Sequence, residues 1–315
     1  MIVTPICEML GIQYPVLQGG MAWVSDASLA SAVSNSGGLG IVSAMSMNAE
    51  QLREEIRQTR VLTQRPFGVN IMLMSPYVDE VARCVIEEEV PVVTTGAGLP
   101  GKFMKAWLEA GIRVVPVVPS VAVAKLVERG GACAVIAEGG ESGGHVGEIT
   151  TMALVPQICD AVSIPVIAAG GIADGRGMAA AMMLGAVGVQ MGTRFLVARE
   201  CTIHQAYKDR VLRAKDIDTM TTGKRLGHPV RALKNLFTQE FLKKEYDSTI
   251  SNEELERFGA GALRRAAREG NEKSGCFMAG QIAALVNREQ TATEIIQQLL
   301  EETQQVLCGA MRWVR

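Results

Sequence analysis

The sequence predicts an α/β chain folded as a (β/α)8 TIM barrel with a mostly helical insert after the eighth strand. Three observations carry this expectation. Eight short, almost wholly apolar runs recur through the first two-thirds of the chain, the pattern of parallel strands covered on both faces. Amphipathic stretches separate them, as crossover helices must. No Gly-x-Gly-x-x-Gly follows the first run, which disfavours the doubly wound alternative. At 315 residues the chain also exceeds the roughly 250 of a bare barrel, leaving length for an insertion.

In chain order, strands are expected at Tyr14–Gln18, Gly38–Ser43, Phe67–Met72, Val90–Thr95, Arg113–Val118, Ala134–Ala137, Pro165–Ala169 and Gly188–Met191. Helices are expected between them, for example over Asn48–Thr63, Ser75–Glu88 and Leu99–Ala110. The pattern changes after Arg199. Residues 201–269 are more polar, richer in charge and without strand-like runs, and read as a helical insert that covers the substrate. Residues 1–200 and 270–315 then form the barrel. From about Phe277 an amphipathic pattern resumes through Gln281–Val286 and Ala292–Val306, predicting the last outer helix. The insert would project from the C-terminal face, where barrel active sites lie.

Composition excludes several classes. A net charge of -2 argues against nucleic acid as a partner. No apolar run approaches the ~20 residues needed to cross a bilayer. The stretch Met1–Glu8 lacks the basic region and apolar core of a signal peptide. The seven cysteines are scattered without a Cys-x-x-Cys pair, which suits buried thiols in a reducing cytoplasm better than disulfides or zinc. A cytoplasmic enzyme with no metal site is therefore expected.

The residues with chemistry cluster at strand ends. The sixth strand runs into a glycine-rich loop around His145, one of three histidines. Its pKa near neutrality and its loop position make it a catalytic candidate; the alternative is a loop histidine bonded to a carbonyl. His204 and His228 lack such a context and read as surface or structural residues. The first strand ends Gln18-Gly19-Gly20-Met21-Ala22-Trp23, exposed backbone beside a soft apolar surface. That suits the plane of an isoalloxazine ring, or equally a turn with a core methionine. Asn70 stands between Val69 and Ile71, and a buried amide must find partners, on a flavin edge, a ribityl hydroxyl or nearby backbone. Glu138 closes the sixth strand and either meets ribityl hydroxyls or faces solvent. The turns Ala169-Gly170-Gly171 and Met191-Gly192-Thr193 follow the last two strands, where barrels hold phosphate through backbone N–H groups; ordinary tight turns are the alternative. Finally, the run Thr219–Gln239 carries Lys224, Arg225, Arg231 and Lys234 without an acid, either an anion-facing surface or a solvated basic face.

Together these segments resemble the FMN-dependent enoyl-acyl-carrier-protein reductase II (FabK-type) family, within the nitronate monooxygenase, or 2-nitropropane dioxygenase-like, superfamily. The matching segments include Tyr14–Val24, Pro66–Leu73, Val92–Gly98, Val115–Ser120, Glu138–Gly147, Val166–Gly175, Gln190–Phe195, Gly227–Arg231 and Met278–Gln281. The resemblance covers nearly the whole chain. Gly-Gly-His-x-Gly is common to the superfamily, whereas Gln18–Trp23 and Val69–Leu73 look more like the reductases. The chain departs from the family at Val42–Met47, where a more glycine-rich turn is expected, and at Leu99-Pro100, where Asn-Pro is expected. The resemblance implies reduction of trans-2-enoyl thioesters by NADH or NADPH through FMN, in bacterial fatty-acid synthesis. It also implies an acyl-carrier-protein partner and a homodimer. Gly19, Gly20, Met21, Ala22, Asn70, Glu138, Gly140, Gly144, Ala169, Gly170, Gly171, Gly192 and Thr193 would then hold the cofactor, with His145 on the substrate side. The alternative within the superfamily is a nitronate monooxygenase using oxygen; outside it, a non-catalytic barrel binding a phosphorylated ligand.

Overall fold

Prolines set where several strands begin. In the computed structural model, which describes residues 2–310, the strands are β1 Val16–Gln18, β2 Gly40–Ser43, β3 Phe67–Met72, β4 Val92–Gly96, β5 Arg113–Val118 and β6 Val135–Glu138. A two-residue strand, β7 Gly144–His145, precedes β8 Val166–Ala169 and β9 Gly188–Met191. The expected runs are thus present, several of them shortened. β1, β4 and β8 each start just after a proline, at Pro15, Pro91 and Pro165; proline has no N–H to give the ladder.

Eight strands, all but β7, form one parallel sheet in the order β1-β9-β8-β6-β5-β4-β3-β2. The two ends meet through a bridge from Leu17 to Leu39, with Gln18 N–H on Leu39 C=O at 3.0 Å. Gln18 reinforces the seam: its side chain donates to Ser25 Oγ at 2.8 Å and accepts from Ile41 N–H at 3.1 Å. The alternation of a pleated strand sends Leu17, Ile41, Val92, Val115, Ile136 and Ile167 into one inner cluster with Ile6 and Leu10. The last two come from α1 Pro5–Leu10, which plugs the barrel. The opposite strand faces meet the outer helices in a second cluster.

Those helices are α2 Ala27–Asn35, α3 Ala49–Leu62, α4 Val78–Glu87, α5 Gly101–Glu109, α6 Val121–Arg129, α7 Thr151–Cys159 and α8 Gly175–Met183. The residues flanking the expected first helix cap it: Asn48 and Gln51 form a capping box at the start of α3. A short α9, Thr193–Leu196, follows β9.

The insert holds α10 Gln205–Leu212, then β10 Thr219–Thr222 and β11 Val230–Leu233, then α11 Leu236–Tyr246, α12 Asn252–Gly259 and α13 Ala262–Glu269. The strands correct the expectation that residues 201–269 lack them. Each is four residues long and only partly buried, so neither forms an apolar run. β10 and β11 pair antiparallel, and β11 pairs in turn with β7. The insert has its own apolar centre of Phe237, Phe241, Leu255 and Cys276. Gln281–Leu285 is a single 3-10 segment rather than the expected α-helix. Helix α14, Ala292–Gly309, closes the barrel against α2 and α8. No helix among the described residues is long and apolar enough to cross a membrane.

Candidate active site

The C-terminal ends of the barrel strands surround a cavity of about 690 Å3. The end of β1 supplies Gly19, Gly20, Met21 and Ala22 to its wall, and β3 supplies Asn70. Gly20 is required here by contact rather than by flexibility. A Cβ at this position would fall 2.2 Å from Asn70 Cβ, so only glycine lets the β1 loop lie against that side chain. Asn70 donates through Nδ2 to Thr94 Oγ1 at 2.9 Å, and among the described residues its carbonyl oxygen has no donor. The backbone is unusual nearby: Trp23 and Ala97 hold φ of 63° and 54°, left-handed values uncommon for non-glycine residues. Ala97 lines the cavity.

Both glycine turns reach the same cavity. Ala169, Gly170 and Gly171 line it after β8, Gly192 and Thr193 after β9. Gly170 and Gly171 adopt φ of 87° and 73°, which turns the peptide groups away from the ladder. No hydrogen bond among the described residues engages the N–H groups of Gly171, Ile172, Gly192 or Thr193. Thr193 Oγ1 accepts from Gly280 N–H at 2.8 Å, fixing the turn to the segment before α14.

The loop after β6 forms the third wall, with Glu138, Gly144 and His145 on the cavity. Withdrawal from water pushes the Glu138 carboxyl up to about 7. Ser142 Oγ is buried on this wall beside the Glu138 carboxyl, whose rise it partly opposes. His145 sits in β7, opposite Val230 of β11, and Val146 N–H donates to Pro229 C=O at 3.0 Å. That pairing brings His228, exposed as expected of a surface residue, onto the same cavity as well. Partial withdrawal of the His145 ring from water, then the nearby His228, holds His145 below its ordinary value. Both effects favour the uncharged imidazole. His204 caps α10 instead, accepting Ala206 N–H on Nδ1 at 3.1 Å.

Gly140 is the one expected cofactor residue that does not line the cavity. Its N–H donates to Ile149 C=O at 2.8 Å, and its C=O accepts from Arg231 Nη2 at 3.0 Å and Nε at 3.2 Å. This also accounts for half the arginines of the basic run. Arg231 serves the loop, and Arg225 donates to Glu245 C=O, Asp247 C=O and Asn252 Oδ1. Of the run's four basic residues, only Lys224 and Lys234 are exposed.

Some wall residues carried no expectation of their own. Gln190 lies on β9 beside Gly19; a lone amide in an apolar strand was the available signal, as for Asn70. Glu141 lines the cavity while its carboxylate accepts Thr151 N–H at 2.9 Å. Tyr207 reaches it from α10, its hydroxyl donating to Met278 C=O at 2.7 Å. Away from the glycine turns the wall is apolar, with Met45, Met72, Met74, Leu99, Leu263 and Met278. Met45 and Leu99 belong to the two segments that depart from the family pattern. Among the described residues no group of three or more His, Cys, Asp or Glu is placed to hold a metal ion.

With this geometry in hand, comparison with known proteins is informative. The nitronate monooxygenase family model matches residues 4–302. The solved structure of FabK from Thermotoga maritima covers 100% of both chains at 46% identity, with a TM-score of 0.97. A probable nitronate monooxygenase of Staphylococcus aureus is 33% identical across 96% of this chain and 98% of its own. A (3aS,4S,5R,7aS)-5-hydroxy-7a-methyl-1-oxo-octahydro-1H-indene-4-carboxyl-CoA dehydrogenase of Mycobacterium tuberculosis is 42% identical over 73% of this chain; the match spans 66% of that relative's length, just under two thirds.

Proposed function

Because the chain belongs to the nitronate monooxygenase family, we propose that it is an FMN-dependent enoyl-acyl-carrier-protein reductase, reducing trans-2-enoyl thioesters with NADH or NADPH. The observation that carries this reading is one cavity lined both by the glycine turns and by an apolar flank of methionine and leucine side chains, with His145 on its wall. A small alkyl nitronate would leave most of that flank empty, whereas an acyl chain would cover it. The full-length likeness to FabK supports the same choice, and the carboxyl-CoA dehydrogenase relative is named for a thioester substrate too.

The walls suit FMN by two features among the described residues: free N–H groups at both glycine turns and the open carbonyl of Asn70. Gly171, Ile172, Gly192 and Thr193 would hold its phosphate, and Gly19–Ala22 would lie along its ring. Asn70 and Glu138 would meet its polar atoms. The chemistry that FMN supplies when bound is hydride relay from a pyridine nucleotide to the thioester β-carbon. The protein's own part is binding, orientation and charge. A neutral His145 donates an N–H hydrogen bond to the thioester carbonyl oxygen, where negative charge grows as the β-carbon takes hydride. The apolar flank positions the chain and excludes water. The same reading places the enzyme in the cytoplasm, as a homodimer that receives substrate on acyl-carrier protein, with the insert forming the cover.

The test is substitution of His145 by Ala. The expected protein remains yellow and reduces a crotonyl thioester about tenfold or more slowly. Unchanged turnover would remove His145 from the reaction. Oxygen uptake with an alkyl nitronate, without crotonyl-thioester reduction by NADH or NADPH, would establish the monooxygenase reading instead.

A further inference from the structure

A second recess, of about 600 Å3, lies behind the β9 turn among α8, α14 and the segment 284–288. Its lining is dominated by charged and amide side chains. Arg194, Arg288 and Arg176 face it, with Asp174 and Glu302 as the acids. Those acids are already engaged. Asp174 accepts from Arg176 and caps α8. Glu302 accepts Gly175 N–H at 3.0 Å through Oε2 and the Gln298 amide at 2.6 Å through Oε1.

Arg194 and Arg288 are different. Neither forms an ion pair with a carboxylate among the described residues; each donates to an amide oxygen, Arg194 to Gln290 and Arg288 to Gln298 at 3.0 Å. Arg194 is only 8% exposed, and its Nη1 is buried with no acceptor among the described residues. A buried guanidinium is ordinarily matched by an anion, because uncompensated charge in the interior is costly. Here a second unpaired guanidinium stands on the same recess and adds repulsion. Burial first, and then Arg288, holds Arg194 below its ordinary range, and the nearby Glu302 and Asp174 offset this only in part.

We propose that this recess is a binding site for a small phosphoryl oxyanion, held between Arg288 and the buried Arg194 and separate from the flavin cavity. A tetrahedral, multiply charged oxyanion matches two guanidinium donors on one wall. Arg194 directly follows Thr193, so occupancy would also brace the turn that borders the main cavity.

The test is calorimetric titration of the flavin-loaded enzyme with inorganic phosphate and, separately, pyrophosphate, at constant ionic strength set with chloride. Saturable binding is expected, weakened about tenfold or more by Arg288→Gln, a substitution at an exposed side chain that does not threaten folding. Tighter binding of pyrophosphate would point to a diphosphate ester as the natural ligand, and equal binding to a single phosphoryl group. Absence of saturable heat, or equal affinity in the variant, would overturn the proposal. So would loss of self-association in the variant, measured by sedimentation, without any phosphate heat; the missing anion would then be a carboxylate of a second copy.

Discussion

Glu138 and His145 face one cavity, yet the surrounding protein moves their proton affinities in opposite directions, each toward the uncharged form. For Glu138 the consequence is measurable in stability. Its carboxyl rises from 4.5 to about 7 in the fold, so the folded state binds the proton more tightly than the unfolded state. Stability therefore falls as pH rises between those values and stays lower above them. Glu138→Gln removes the group. Flavin-free Glu138→Gln protein should melt above the parent at about pH 8, and the difference should vanish near pH 4. A gap unaffected by pH would show that the carboxyl titrates normally. Residue-scale chemistry was partly legible beforehand. Asn70 stood out because an amide interrupts an apolar run. His228 did not, because only the pairing of β7 with β11, distant in sequence, brings it to the cavity. Gly140 misled for the same reason, since the partner of its carbonyl is Arg231.

Among the elements, α3 and α4 meet through a charge cluster of three partly exposed arginines around one buried carboxylate. Glu88, 8% exposed, follows α4 and accepts from Arg57 Nη2 at 2.9 Å, Arg53 Nε at 3.1 Å and Arg60 Nη1 at 3.3 Å. Burial raises its carboxyl, and the three guanidinium groups outweigh that and hold it below its ordinary value. The stabilisation is present above the ordinary carboxylate range and is lost as pH falls through the lowered value. Glu88→Gln should cost about 2 kcal/mol at neutral pH and flatten the acid limb of the stability curve, both seen in urea titrations. The three arginines lie on one face of a helix whose span was readable from period and caps. Their common target was not, because helix periodicity reports which face is buried and not which group lies across from it. The barrel strands were readable because both of their faces are apolar. The hairpin of β10 and β11 was hidden because Thr219–Thr222 and Val230–Leu233 show only part of a face to the interior and flank a basic loop.

At the scale of the molecule, barrel and insert are joined where the chemistry is expected. Arg231 on β11 binds the carbonyl of Gly140, Tyr207 on α10 holds Met278, and Arg264 on α13 stands 5.8 Å over the Trp23 ring. These ties make the insert part of the site's frame. Arg231→Met should therefore slow crotonyl-thioester reduction about tenfold while lowering the melting temperature by only a few degrees; steady-state kinetics beside a thermal melt separate the two. The three-stranded sheet has a further consequence for the order of synthesis. All eight barrel strands have been synthesised once Met191 is added, yet β7 still lacks β11, the loop carrying Gly143 and Gly144 lacks Met278–Gly280, and α2 and α8 lack α14. A nascent chain of 200 residues holds every strand of the barrel and no finished cavity, so ligand capture must wait until nearly the last helix has left the ribosome.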